Sequence, residues 1–287
     1  MNERVIRGAL TAMALGVLMA LGLITFFILQ SGLGLIIRVG LVDFLSGTVW
    51  APTAKPPQFG ILPMIIGSVW LTLGALLVGV PLGLAVAVFQ VELAPPWLSA
   101  LLRPTIQLLA GIPSVVYGFI GLTLLAPLVR TTLGGPGLSV LTGAIVLGIM
   151  ILPSVIAVSE DALRAVPVSI RDGALALGAT HWQMIRGVLI PSARSGIVAG
   201  VVLGMGRALG ETMAVIMMVG NALTIPTTPL DAATTLTSNI ALELAYASGA
   251  HREALFATGV VLFCLIMTLN ALATALVRQR TLSRRVG

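Results

Sequence analysis

Apolar and polar stretches alternate along this chain with a period of tens of residues. Six apolar runs stand out, at about 8–30, 63–91, 101–129, 138–158, 192–221 and 254–277, each near or above the roughly 20 residues that carry a helix across the hydrocarbon core of a membrane. Between them lie residues 31–62, the short Glu92–Ala100 turn, a Gly134-Gly135-Pro136-Gly137 turn, a polar segment over 159–191, and residues 222–253. Proline and glycine inside the runs do not argue against helix, because membrane helices tolerate both. The pattern predicts an all-α membrane protein with six transmembrane helices. The first run follows a basic stretch, Met1 to Arg7. A signal peptide shares that polarity, but its apolar core spans only about 7–15 residues. The longer run here, with no evident small-residue cleavage site, reads as a retained first helix, a signal peptide being the alternative.

Composition narrows the class. Hydrophobic residues make up 57% of the 287, charged residues 9%, and the mean hydropathy is +1.08. A soluble fold, about a quarter charged, cannot be covered with so few polar side chains. The formal charge of +6 is dispersed over span ends and is no nucleic-acid footprint. The single cysteine, Cys264, excludes an intrachain disulfide. Charge also sets orientation, since basic residues collect on the cytoplasmic side. With both termini inside, Arg4, Arg7, Arg103, Arg164, Arg171, Arg186, Arg194, Arg278, Arg280, Arg284 and Arg285 face the cytoplasm. Only Arg38, Lys55, Arg130 and Arg252 face outward, and Arg207 lies within a span. This topology places residues 159–191 in the cytoplasm.

That segment carries helix-start signals at Ser169-x-x-Asp172 and Thr180-x-x-Gln183, resembling capping boxes. Gly178 lies between them, where a helix ends in a left-handed turn. Pro191 suits the first turn of the following helix. The reading is two short helices joined by a glycine bend; an amphipathic helix lying on the lipid surface fits the same pattern.

The run Asp172-Gly173-Ala174-x3-Gly178-x9-Val188-x-Ile190-Pro191 resembles the EAA loop of binding-protein-dependent ABC importer permeases, with Asp for Glu, Gly173 for Ala, Val for Ile and Ile for Leu. The resemblance implies a type I importer, MetI-like permease fold with a cytoplasmic coupling helix between spans 4 and 5. It implies that Asp172, Gly173, Ala174, Gly178 and Pro191 serve docking to a separate ATP-binding subunit. In domain terms, residues 1–62 supply an N-terminal helix and extracytoplasmic loop, and 63–287 the permease core, with the coupling loop at 160–191. A P-loop requires Gly-x4-Gly-Lys-[Ser/Thr], and the only lysine, Lys55, has no such context. Neither a His-Glu-x-x-His zinc motif nor a Gly-x-Ser-x-Gly elbow is present, and His181 and His251 are far apart. The chain is therefore read as a transporter subunit with no catalytic residues, metal site or cofactor of its own.

A second feature is Arg207 and Glu211 inside the fifth run. Charges at such depth cost roughly 2.5–3.5 kcal/mol on insertion scales and face the protein interior or a watery path. At a spacing of four they share a face of a continuous helix. Gly196, Gly200 and Gly204 form a tandem small-residue stripe for close helix packing. Arg207 suits an oxyanion, which guanidinium grips bidentately, and Glu211 would weaken the hold enough for release. An internal ion pair that only fixes packing satisfies the same residues. Gly111-x-Pro113-Ser114 predicts a break or kink in the third span, whose freed groups and Ser114 hydroxyl could line a cavity; a kink that serves packing alone is the alternative. The run from Thr224 through Thr228 to Ser238-Asn239 is read as an outer mouth or an ordinary solvated loop.

Further blocks are similar to the PstC-type permeases of bacterial phosphate importers. They are Phe59-Gly60-Ile61-Leu62-Pro63, Leu109-Ala110-Gly111-Ile112-Pro113-Ser114-Val115-Val116-Tyr117-Gly118, and Gly206-Arg207-Ala208-Leu209-Gly210-Glu211-Thr212-Met213-Ala214-Val215. The last differs from the PstA type, which typically continues Ala-Pro-Leu after Gly-Glu-Thr. This resemblance implies phosphate passage along Arg207, Glu211, Ser114 and Thr212. It also implies a heterodimer with a PstA-type permease, a dimeric PstB-type ATP-binding subunit, and a PstS-type phosphate-binding protein, within the bacterial cytoplasmic membrane. A sulfate- or molybdate-type permease, an ATP-independent channel or scaffold, and an intramembrane enzyme are the competing classes. The Gly206–Val215 block weakens the first, the coupling motif the second, and the lack of a nucleophile–base set the third.

Overall fold

A computed structural model describes the backbone of residues 3–282 and the side chains of residues 6–275. Arg284 and Arg285, which entered the charge count, lie outside the described residues. The elements run in order: α1 Glu3–Val39, α2 Leu41–Ser46, β1 Trp50–Ala51, β2 Gln58–Phe59, α3 Leu62–Val88, α4 Pro96–Gly111, α5 Ser114–Ile120, α6 Ala126–Leu133, α7 Val140–Arg164, α8 Val168–Ala176, α9 His181–Met184, α10 Ile190–Gly210, α11 Met213–Met218, α12 Leu236–Glu243 and α13 Gly249–Leu282. Among the described residues, six stretches are long and apolar enough to cross a membrane: Ile6–Val39, Leu62–Leu93, Ser114–Leu133, Val140–Arg164, His181–Gly210 and Gly249–Ala275. The all-α, six-span architecture expected from the hydropathy pattern is thus present.

Two spans are broken, the third where Pro113 predicts it and the fifth where a continuous helix was expected. The third is interrupted at Ile112 (ψ 127°) and Pro113 (ψ 139°), so that α4 and α5 are separate helices. Proline lacks an N–H to give and pushes the preceding residue out of the helical region. The fifth begins earlier, at His181 rather than residue 192, and stops at Gly210 rather than running to 221.

Single π turns at Phe89–Leu93, Gly121–Leu125 and Ile185–Leu189 explain how helices absorb prolines. In each, the N–H of the residue before a proline reaches back five residues: Ala94 to Phe89, Ala126 to Gly121 and Ile190 to Ile185. The prolines that follow are Pro95, Pro127 and Pro191. The widened turn accommodates the missing donor without ending the helix at Pro127 and Pro191.

The chain divides into two units, residues 1–62 with 240–264, and residues 63–239 with 265–287. In the first, the β1–β2 pair is antiparallel with Trp50 opposite Phe59. The Trp50 indole donates to Glu243 at 2.9 Å, and His251 Nε2 meets the same carboxylate at 2.7 Å. In the second, α7 is the central helix. Gly196, Gly200 and Gly204 on α10 face it: a Cβ at Gly196 would collide with Ala162, one at Gly200 would lie 3.2 Å from Val158 Cβ, and one at Gly204 would lie 3.1 Å from Val155 Cγ2. Gly79 and Gly83 of α3 approach α7 equally closely, at Ile151 and Val155. Absent side chains let the backbones close on each other, which replaces the missing hydrophobic drive between helices in lipid with van der Waals contact.

Candidate functional site

Both broken spans belong to the second unit, and the helices that follow the breaks, α5 and α11, pack together, Gly118 lying against Ala214. Ser114 opens α5 directly after the first break and is half-buried. Tyr117, one turn on, is buried and donates its hydroxyl to the Leu109 carbonyl at 2.9 Å, bridging the break. Arg207 occupies the last turn of α10, partly buried, close enough to act electrostatically on Tyr117.

The i, i+4 pairing expected of Arg207 and Glu211 does not form. Glu211 (ψ 132°) lies past the helix end, and Arg207 makes no ion pair among the described residues. Instead the Glu211 Oε1 accepts the Ala214 N–H at 3.1 Å, capping α11. The Thr212 hydroxyl donates to the Gly210 carbonyl at 3.1 Å, and Thr237 donates to the Glu211 carbonyl at 3.0 Å. Side chains thus satisfy the backbone groups that the break releases, the condition for irregular backbone at membrane depth.

Thr237 belongs to a segment whose surroundings hydropathy does not reveal. Thr224, Thr227 and Thr228 are exposed, whereas Thr234 to Asn239 are buried. For that second half the solvated-loop reading is wrong. Its polar groups are consumed internally: the Leu236 N–H donates to Ser68 Oγ at 3.0 Å, and the Thr235 N–H to Ser238 Oγ at 2.9 Å. Ser68, one polar position in an apolar span, was not singled out by sequence; the dense Thr/Ser run over 234–238 was the available signal. Before it in the chain, the Asp231 carboxylate accepts from both the N–H and the hydroxyl of the exposed Thr227 and Thr228 at 2.8–2.9 Å. These bonds hold its pKa down to about 2.

The polar segment forms a helical hairpin. α8 starts one residue before Ser169, with Pro167 as N-cap and no side-chain cap, so the expected Ser169–Asp172 box does not form. Pro167 drives Val166 out of the helical region and sets the start itself. Gly178 takes φ +86°, ending the first arm. Thr180 and Gln183 form a true capping box, Oγ1 accepting the Gln183 N–H at 3.3 Å and Oε1 accepting the Thr180 N–H at 2.8 Å. Pro191 sits in a helix already under way since His181, after the π turn. Asp172 and Gly173 are exposed, and Ala174 packs against the inner cluster that contains Ile185 and Leu189. The outward face is apolar, with Leu177 91% exposed and Val168 and Trp182 also exposed. On the inner side, Arg171 reaches Glu92 at 2.8 Å and His181 reaches the other oxygen of that carboxylate at 3.4 Å. No group of three or more His, Cys, Asp or Glu that could hold a metal ion occurs among the described residues.

Comparison with known proteins agrees with this geometry. The chain is 42% identical over 285 residues to the probable ABC transporter permease protein YqgH of Bacillus subtilis, spanning 98% of this chain and 91% of that one. It is 38% identical over 252 residues to the phosphate transport system permease protein PstC of Mesorhizobium japonicum, spanning 80% of this chain and 76% of that one. Among solved structures, a chain of a bacterial ABC transporter involved in import of the acidic polysaccharide alginate superposes with a TM-score of 0.62 at 17% identity, over 96% of this chain and 99% of that one. A chain of the MetNI methionine ABC transporter in an inward-facing conformation gives 0.59 at 21% identity, over 74% of this chain and 92% of that one. Residues 79–283 match the model of the binding-protein-dependent transport system inner membrane component, and the chain belongs to that family of multi-pass ABC-importer permeases.

Proposed function

We propose that this chain is the PstC-like half of a phosphate importer, passing inorganic phosphate inward by alternating access. The observation that carries the reading is Arg207, an arginine without an ion-pair partner among the described residues, at the mouth of a helix break beside a second broken helix. Guanidinium is the group that matches phosphate bidentately, and discontinuous helices are where transporters build substrate sites. Similarity to PstC proteins over most of their length supports the same cargo. Ser114 and Thr212 flank the two breaks; Ser114 offers its hydroxyl to the passing anion, and Thr212 can do so by releasing the Gly210 carbonyl. Glu211, engaged in capping α11, sets the position of the break rather than neutralising Arg207.

In this reading a PstA-type permease completes the pathway and a PstS-type protein delivers phosphate from outside. A PstB-type dimer drives the cycle from the cytoplasm, where both termini lie. The core over 63–287 carries the pathway, and residues 1–62 add the first span and an outer loop. The exposed apolar face around Leu177 and Trp182, with Asp172, Gly173 and Gly178 beside it, is the ATPase dock.

The test is ATP-dependent uptake of radiolabelled phosphate by liposomes holding this chain with its three partners. Arg207→Gln is expected to abolish uptake while the complex still assembles. Uptake of sulfate in preference to phosphate, or normal transport by Arg207→Gln, would reject the assignment.

A further inference from the structure

A second polar site lies within the second unit, away from the helix breaks. Here α4, α7 and the end of the second span border a half-open cavity of about 320 Å³, lined by Gln90, Arg103, Ile106, Gln107, Glu160 and Asp161 among others. Three observations bear on what it holds.

Gln90 is only 3% exposed, yet neither the nitrogen nor the oxygen of its side-chain amide has a partner. A buried amide left unpaired is costly, and such groups persist where water or a ligand completes them. Next, α4 carries Ser99, Arg103 and Gln107 at successive spacings of four in a helix whose one other polar side chain, Thr105, bonds its own backbone at Leu101. Residues so spaced form one stripe, and Arg103 fixes its direction by bonding Glu160 of α7 at 2.5 Å.

The third concerns Glu160. A single oxygen, Oε1, accepts both from Arg103 and from Arg164 Nε, the latter at 3.0 Å. Arg103 can therefore leave without stranding a buried carboxylate, because Arg164 stays. The Arg103 side chain is half exposed, so its remaining N–H groups are open to a second acceptor.

One hydrogen bond joins the helix that lines the cavity to the helix beyond the break at Pro113. Tyr117 donates to the Leu109 carbonyl near the end of α4. From Leu109 to Arg103 the helix descends about 9 Å at 1.5 Å per residue, toward the cytoplasmic end in the proposed topology.

We infer that Gln90, Arg103 and Gln107 form an inner station for a tetrahedral oxyanion, reached after Arg207 and left for the cytoplasm. The inference rests on the oxyanion reading of the importer. The anion takes the guanidinium of Arg103 in exchange for Glu160, and the Gln90 and Gln107 amides donate to its remaining oxygens. Asp161 at the rim and Glu160 beside it keep the hold weak. Passage requires sites that release as readily as they bind.

The experiment uses the complete reconstituted importer with inorganic phosphate. Gln90→Met preserves volume and removes the amide; Arg103→Gln removes the charge. Each is expected to lower the maximal uptake rate roughly tenfold, the size of one lost charge-assisted contact, with complex assembly unchanged. A second readout places a thiol in the stripe, Gln107→Cys in a Cys264→Ser background. Phosphate during turnover is expected to slow its alkylation several-fold, and Arg103→Gln to remove that protection. Parent-rate uptake by both Gln90→Met and Arg103→Gln, or a thiol that phosphate never protects while uptake proceeds, overturns the inner station alone. A parent complex that moves no phosphate overturns the oxyanion reading, and the station with it.

Discussion

Arg171 on α8 and Glu92 at the end of the second span lie 2.8 Å apart, and Glu92 is nearly buried, its side chain 7% exposed. His181, on the second arm of the hairpin, meets the other oxygen of the same carboxylate. One side chain thus ties both arms of the hairpin to a membrane-spanning helix, so that force applied to either arm is transmitted to the second span.

Replacing Glu92 with Gln removes the charge and leaves Arg171 in a partly buried position. Breaking one side of a buried pair costs about 3 kcal/mol. The hairpin over 168–184 is expected to exchange its amide hydrogens faster than in the parent. ATP hydrolysis is expected to persist while uptake per ATP falls. Unchanged exchange in this segment would show that Glu92 does not anchor it.

Gly178 and Gly173 make opposite demands. Gly178 holds φ +86°, a conformation that costs an L-residue roughly 1–2 kcal/mol. Gly178→Ala is expected to weaken the hairpin and reduce co-purification of the ATPase. Nothing lies within 4 Å of a Cβ at Gly173, inside α8, so Gly173→Ala is expected to raise helix stability by up to about 1 kcal/mol and leave ATPase binding intact. Thermal unfolding and pull-down of the two variants side by side check both claims.

The stripe on α10 offers a matched pair. Gly196→Val would force α10 and α7 apart against Ala162, and overpacking of this kind costs about 1–3 kcal/mol. Gly206, in the same helix, has open space around it. Gly206→Ala is expected to be neutral or mildly stabilising in detergent melts, whereas Gly196→Val lowers the midpoint.

Asp231 predicts a pH response on the loop. Its folded pKa, about 2, lies below the ordinary 3.8 of an aspartate because Thr227 and Thr228 donate to it. The loop contacts are therefore fully present above about pH 4 and are lost as pH falls through 2. Amide exchange at Thr227 and Thr228 is expected to accelerate across that window. In Asp231→Asn it should already be fast at neutral pH and show no step.

Local signals were legible and distant ones were not. The break at Pro113, the left-handed Gly178 and the Thr180–Gln183 box each follow from residues a few positions apart, and sequence placed all three. The break at Glu211 was not readable, because Glu, Thr, Met and Ala continue a helix by propensity. It is held by Thr237, 26 residues later, donating to the Glu211 carbonyl. The Arg103–Glu160 contact joins positions 57 apart and carries no local mark. The early start of the fifth helix was hidden by Pro191, which looks like a boundary until a π turn is allowed for.

That π turn at Ile185–Leu189 also fixes an angle. One extra residue in a turn advances everything beyond it by roughly 100° around the axis. The azimuth of the hairpin relative to Arg207, on one continuous helix from His181 to Gly210, is therefore set by a single inserted position. A helix retightened by Pro191→Ala would present Trp182 along a different bearing from the one it now holds, with every other residue unchanged. The proline acts as a phase key between the hairpin arm and the Arg207 end of the helix.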